Sequence, residues 1–244
     1  MFKEQRTDKI LEIIRENQYV TVDYLVSRLH YSPATIRRDI TYLADLGLVK
    51  KSYGGVSIAG GRPSIIREHD NISGKVKVCK YASNLIKDGD IVFIDGATTT
   101  YFLGEFLLKK KNITVVTTNL KLAIFLGERK VNCYVCSGRI HDSTMLCGAY
   151  VADLVDKFNY DAAFFSVGYM NESGQIGVFE EFWDFMKSVF NRSKTNVLLC
   201  DGTKIKEGKK YISTVEVFDT VICDTELPNG IKKSFPAVNF IAVE

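Results

Sequence analysis

The sequence predicts an α/β protein, with a small N-terminal winged helix-turn-helix domain ahead of a larger α/β domain whose sheet is mainly parallel. Three observations predict it. Short amphipathic helical stretches with cap residues fill the first fifty positions and stop at Gly47. Residues 54–63, Gly-Gly-Val-Ser-Ile-Ala-Gly-Gly-Arg-Pro, hold four glycines and a proline, a linker composition. From Lys75 onward, continuous apolar runs alternate with helical patterns, as βαβ units do. The expected division is 1–57 for the winged helix-turn-helix domain, 58–74 for the linker and 75–244 for the larger domain.

The first helix is expected over Lys9 to Asn17, where Ile10, Leu11, Ile13 and Ile14 share a face. Thr21 caps a second, with Val22, Leu25, Val26 and Leu29 inward. His30-Tyr31 makes the turn. Ser32 is a good N-cap for the third helix, and Pro33 suits its first position, where a missing N–H is no loss. Ile36, Ile40 and Leu43 fall at i, i+4, i+7 and form a buried stripe. Ala34, Thr35, Arg37, Arg38 and Thr41 then face outward. The helix-turn-helix spans about 20–39, and Leu48 to Val56 reads as a two-stranded wing.

Two adjacent arginines alone are most often a solvated face. Here they sit near the N-terminus of a capped helix beside a small residue and a hydroxyl, a surface that a major groove accepts. The expected contacts to double-stranded operator DNA are Ser32, Thr35, Arg37 and Arg38 from the helix, with Lys50, Lys51 and Tyr53 reaching phosphates from the wing. The segment Ser32 to Ile40, then Leu43, Gly47 and Tyr53-Gly54-Gly55, resembles the winged helix-turn-helix of the DeoR family of bacterial transcriptional regulators, over residues 6–56.

In the larger domain a helix carrying Val78, Ala82, Leu85 and Ile86 precedes the strand Ile91–Asp95, apolar throughout as a strand buried on both faces should be. There follow a helix over Tyr101 to Lys109, a strand at Ile113–Thr117, a helix over Leu120 to Leu126 and a strand at Cys133–Cys136. Further strands are expected at Ala162–Val167, Val197–Asp201 and Thr220–Asp224, with a helix near Trp183 to Asn191. The Trp183 region reads as core or subunit contact.

Ligands of open parallel sheets bind at the carboxyl ends of the strands. The residues there are Asp95-Gly96-Ala97-Thr98-Thr99-Thr100, Thr117-Thr118-Asn119, Ser137-Gly138-Arg139, Gly168 and Asp201-Gly202-Thr203-Lys204. Thr98 and Thr99 would open a helix whose free amides and dipole favour phosphate. Asp95 and Asp201 would accept from hydroxyls, and Lys204, read as exposed, would add positive charge. Any one of these residues alone usually turns the chain or caps a helix; their recurrence at five strand ends points to a small phosphorylated sugar. The expected effector set is Asp95, Thr98, Thr99, Thr118, Asn119, Gly138, Gly168, Asp201 and Lys204.

The resemblance extends here. Asp95-Gly96-Ala97-Thr98-Thr99, Thr118-Asn119, Ser137-Gly138 and Asp201-Gly202-Thr203-Lys204 are similar to recurring motifs of the DeoR effector domain, which implies a fold like that of ribose-5-phosphate isomerase. Gly96-Ala97 reverses the usual order, Thr203 stands for Ser, and Glu180 to Lys187 is unusually aromatic.

The net charge of +3 says nothing about DNA; only the clustering of Arg37, Arg38, Lys50 and Lys51 does. No apolar run approaches a membrane span and no signal peptide is visible, so no membrane partner is expected. Six scattered cysteines fit a reducing cytoplasm. Cys133-x-x-Cys136 lies in a strand without a second pair, and His30, His69 and His141 are isolated, so no metal site is expected. There is no nucleophile elbow and no P-loop, and no catalytic residue or cofactor is expected. The sequence thus reads as a homo-oligomeric repressor of carbohydrate-metabolism genes, with a sugar-phosphate isomerase or hydrolase bearing a helical appendage as the alternative.

Overall fold

A computed structural model describes residues 3–17, 19–52, 55–58, 70–141 and 144–243. The chain divides into two compact units, residues 1–67 and 68–244.

In the first unit, α1 covers Lys3–Asn17, β1 Tyr19–Thr21, α2 Val22–Leu29, α3 Pro33–Asp45, β2 Val49–Ser52 and β3 Gly55–Ile58. The caps act as the sequence predicts: the Thr21 hydroxyl accepts from the Tyr24 amide and the Ser32 hydroxyl from the Thr35 amide. His30 closes α2 in the left-handed region, φ 57°, which turns the chain sharply into α3. Gly47, at φ +71°, ends α3 where a Cβ would be strained.

Ile36, Ile40 and Leu43 bury against Ile10, Ile14, Leu25 and Val56, so one small core holds three helices and the wing. Two features differ from expectation. The first helix begins six residues earlier, at Lys3, and the wing has three strands: β1 pairs antiparallel with β3, which pairs with β2. A three-residue strand is too short to show a period in sequence.

The longer α1 brings Arg6 to Asp39. Arg6 Nε and Nη2 donate to the two Asp39 carboxylate oxygens at 2.5 and 3.0 Å, and the guanidinium also lies 5.0 Å from the centre of the Tyr31 ring. One side chain thereby ties α1 to the turn and to α3. Asp39 is 1% exposed, so losing its partner would strand a buried charge.

The second unit is a three-layer α/β sandwich. Its strands are β4 Ile91–Ile94, β5 Thr114–Thr117, β6 Asn132–Val135, β7 Arg139–His141, β8 Met145–Cys147, β9 Ala162–Phe165, β10 Tyr169–Met170, β11 Gln175–Gly177, β12 Asn196–Cys200, β13 Ser213–Thr214, β14 Thr220–Cys223 and β15 Asn239–Ala242. Seven of them form one sheet in the order β15-β14-β12-β9-β4-β5-β6, every pairing parallel. The helices are α4 Ile72–Ala82, α5 Leu103–Leu107, α6 Leu120–Glu128, α7 Tyr150–Val155, α8 Glu180–Arg192 and α9 Asn229–Ser234.

Alternate residues of each strand serve opposite faces. Val92, Ile94, Phe164, Val197 and Leu199 pack with α4, α5 and α6; Phe93, Phe165, Leu198 and Val221 pack with α7, α8 and α9. Trp183 joins the latter core at its edge, 5.8 Å from the Phe190 ring. From β4 the chain winds outward through β5 to β6, then returns to lay β9 on the other side of β4. The order reverses there, between β4 and β9, the kind of point at whose strand carboxyl ends doubly wound sheets take ligands.

The expected helix over Tyr101–Lys109 is a 3₁₀ turn, Thr100–Phe102, followed by the five residues of α5. Its dipole is correspondingly small, which weakens the case for phosphate binding by helix geometry alone. The helix expected from Lys75 begins at Ile72, capped by Asn71, so the linker does not reach 74.

The Arg6–Asp39 pair gives the first prediction. Asp39→Ala should cost roughly 1.5–3 kcal/mol, the range for hydrogen bonds to charged groups. It should appear as a lower urea midpoint for the N-terminal unit, with the α/β unit unchanged. Equal midpoints in wild type and variant would show that the pair does not hold α1 in place.

Candidate functional site

Arg37, Arg38 and Thr41 are exposed along the outer face of α3, Ala34 is exposed at its start and Thr35 is half-buried. The Ser32 hydroxyl is spent on the cap and on a 2.9 Å contact with the Thr35 hydroxyl. In the wing, Lys50 and Lys51 are exposed, and Lys51 Nζ donates to the Thr41 hydroxyl at 3.3 Å. That contact sets the wing's charge beside the arginines of α3. Tyr53 lies outside the described residues.

The second site is at the switch point. In a regular parallel ladder the amide after Phe165 would pair with the Asp95 backbone. The Asp95 amide still donates to Phe164 O at 3.0 Å, as the ladder requires, but the Ser166 amide donates to the Asp95 side chain, Oδ2, at 2.8 Å. The carboxylate thus spans the gap where β4 and β9 part. Its other oxygen accepts from the Ala97 amide at 3.0 Å and the Thr100 hydroxyl at 2.5 Å, which folds the loop after β4 back on itself. Burial pushes the Asp95 carboxyl up to about 6, and the Thr100 hydroxyl, the Ser166 and Ala97 amides and the charge of Lys204 oppose that rise.

Asp201, at the end of β12, is fully buried. It accepts from the Thr99 hydroxyl at 3.1 Å and from the Thr203 hydroxyl and amide at 2.5 and 3.1 Å. Thr99 therefore links the loops after β4 and β12 across β9. The next strand end contributes Asp224, which accepts from the Gly202 amide at 2.6 Å. The small sheet β10-β11-β13 braces this loop from below: Lys206 N–H donates to Met170 O at 2.8 Å, beside an Ile205–Met170 bridge.

Of the expected effector residues, Asp95, Thr99, Asn119, Asp201 and Lys204 come together. Asn119 does so through its amide, which reaches Ala97 O at 3.3 Å while its oxygen caps α6. Thr98 is half-buried in the same loop. Thr118 is buried, and its carbonyl accepts from Leu146 N–H. Gly138 and Gly168 are not part of this network. A Cβ at 138 would lie 2.5 Å from Cys147 O, so that glycine lets β8 approach, and the Gly168 amide pairs with Gly177 O. Lys204 differs from expectation in being buried, at 8% exposure, at the end of the 3₁₀ turn Gly202–Lys204 that Asp201 caps.

Two residues were not anticipated. The Ser166 hydroxyl is buried with no hydrogen-bond partner among the described residues. Lys75, on α4, is 0% exposed. Its charge acts on the Cys79 thiol one turn later, which burial, Asp95 and Asp201 raise and Lys75 lowers; the Cys79 Sγ meets Thr99 O at 3.1 Å. Two lysines and two aspartates are thus gathered under the switch point. The sequence held a signal for Lys75: with Val78, Cys79 and Ala82 it completes the spacing i, i+3, i+4, i+7, a lysine on a buried stripe. Cys133 and Cys136 show no site: burial raises Cys133 to about 11 and Cys136 to about 12, and no group of metal-binding side chains is found among the described residues.

A winged helix-turn-helix with an outward arginine pair, followed by a doubly wound domain with a polar cluster at its switch point, defines a DNA-binding transcriptional regulator of the sensor-bearing kind. The chain belongs to the DeoR family: the DeoR-like helix-turn-helix domain matches residues 6–60 and the DeoR C terminal sensor domain residues 70–225. The HTH-type transcriptional regulator GolR of Listeria innocua is 28% identical over 245 residues, covering 96% of each chain. The glycerol-3-phosphate regulon repressor of Escherichia coli is 25% identical, covering 95% of this chain and 94% of its own. Ribose 5-phosphate isomerase A of Methanocaldococcus jannaschii, a solved structure, is 17% identical with a TM-score of 0.42, over 56% of each chain. No helix among the described residues is long and apolar enough to cross a membrane.

The Asp95 environment predicts a pH effect. The raised carboxyl keeps a proton in the folded chain that the unfolded chain, at 3.8, has released. Stability should therefore fall as pH rises from about 4 to about 6. Asp95→Asn removes the titration, so its urea midpoint should lack this decline; an unchanged slope would rule out Asp95 as the source.

Proposed function

We propose that this regulator is a repressor of carbohydrate-metabolism genes, released or engaged by a small phosphorylated sugar bound at the carboxyl ends of β4, β9 and β12. The observation that carries the DNA half is the exposed Arg37–Arg38 pair on a capped helix whose opposite face is locked into the core. Arginine near a helix N-terminus can reach guanine edges, while Lys50 and Lys51 supply sequence-independent attraction to phosphates. One helix-turn-helix covers few base pairs, so two copies on paired half-sites are needed for useful affinity.

The sensor half rests on the gathering of Asp95, Thr99, Asp201, Lys75 and Lys204 at the switch point, where doubly wound sheets take ligands. Carboxylates suit sugar hydroxyls and lysines suit a phosphate. A relative named for a glycerol-3-phosphate regulon supports a phosphorylated polyol or sugar. The short α5 leaves the phosphate to the lysines more than to a helix terminus. The effector prefers one domain arrangement, and DNA affinity changes by its differential affinity for the two. An isomerase or hydrolase is disfavoured because full-length relatives of this chain are transcriptional regulators and repressors.

Two substitutions test the halves separately. Arg37→Ala with Arg38→Ala should weaken operator binding by about 1–3 kcal/mol per lost base contact, read by fluorescence anisotropy. Lys204→Met, which keeps the buried stem, should bind operator as wild type does yet need at least about tenfold more sugar phosphate to respond, the equivalent of 1.4 kcal/mol. Wild-type affinity in the double arginine variant, or a wild-type dose response in Lys204→Met, would refute the corresponding half.

A further inference from the structure

The start of α4 is fastened to the sensor site by an unusual set of contacts. Asn71, at φ 48° and ψ 50°, caps the helix: its side-chain oxygen accepts from the Gly74 amide at 3.1 Å, and its backbone oxygen from the Lys75 amide at 3.1 Å. The same side chain turns its NH₂ group outward to Asp224 Oδ2 at 2.8 Å. The other Asp224 oxygen holds the Gly202 amide, inside the Asp201–Lys204 turn. A Cβ at position 74 would lie 1.8 Å from Asp224 Oδ2, so only glycine lets the helix come this close. One residue later Lys75 is fully buried, where its charge reaches Cys79 together with those of Asp95 and Asp201.

We infer that the Asn71–Lys75 turn, latched to Asp224, is the element through which occupancy of the sensor site reaches the DNA-binding unit. This rests on the sensor function proposed above. The second unit begins at residue 68, so this turn is where the chain arriving from the first unit is anchored. A ligand that engages Lys204 or Asp201 acts on the Gly202–Lys204 turn, and Gly202 holds one oxygen of the carboxylate whose other oxygen holds Asn71. Pulling that turn, or competing for Asp224, loosens the cap of α4 and the point at which the linker is tied. Asn71 is exposed and Asp224 half-buried, so the latch is a hydrogen bond of modest strength open to water. A modest bond suits a two-state element, because ligand binding can bias it.

The test uses the full chain, an operator fragment selected from random DNA, and glycerol 3-phosphate, fructose 1-phosphate and ribose 5-phosphate as probes. Asn71→Ser keeps a capping hydroxyl but is too short to reach Asp224. Gly74→Ala attacks the same latch from the helix side. Each is measured twice: the thermal shift caused by the active probe, and the change that the probe makes in DNA affinity. In wild type that change should fall in the ordinary allosteric range of about 5–150-fold. Both variants should keep the thermal shift while the change in DNA affinity drops below about twofold. A wild-type change in either folded variant overturns the inference. So does loss of the thermal shift, which would make the turn part of the binding site and not its outlet. If the wild type ignores every probe in both assays, the sensor function itself fails and this inference with it, a result distinct from the other two.

Discussion

The α/β unit depends on one carboxylate doing the work of a backbone carbonyl. Where β4 and β9 separate, the ladder bond that should come next is missing, and Asp95 supplies an acceptor in its place. Without it the Ser166 amide would be buried and unpaired, and an unpaired donor costs more than an ordinary hydrogen bond contributes. The same side chain folds the loop that delivers Thr99 to Asp201 and Ala97 to Asn119. Burial opposes its ionisation while three donors and Lys204 favour it. The switch point is therefore made by the sheet's change of direction, and its polar cluster is organised by the residue that repairs the ladder there.

In the N-terminal unit the comparable role belongs to Arg6 and Asp39. The hydrophobic stripe of α3 fixes which side faces the core, but a stripe leaves a helix free to slide along its axis. A bidentate ion pair from α1 removes that freedom, since both oxygens must meet both nitrogens. The presented arginines are thus positioned by a residue of opposite charge on the hidden side of the same helix.

Much of this was legible in the amino acids. The caps Thr21 and Ser32, the stop at Gly47, the stripe of α3 and the core strands β4, β5, β9, β12 and β14 follow from periods and propensities that local residues set. The parts that were not legible depend on partners far away in the chain. β1 and β13 are too short for a pattern and exist only because β3 and β11 offer them an edge. Lys204 carries a surface residue's identity and is buried by a turn whose shape Asp201 dictates. Gly138 carries a ligand-loop residue's identity and serves instead to admit a neighbouring strand. Lys75 was visible as a charge on an apolar stripe, but its meaning required knowing that Asp95 and Asp201 wait beneath it.

The two sides of α3 are under different physical constraints. Ile36, Asp39, Ile40 and Leu43 are committed to the interior, whereas Ala34, Arg37, Arg38 and Thr41 are exposed. On the role proposed for α3, replacement of the second group would change which nucleotide sequences are favoured and barely change folding. A gene duplicate of this chain can therefore drift to a new target through a handful of codon changes, without compensating mutations elsewhere. Such a layout lets one scaffold diversify into many regulators within a single genome.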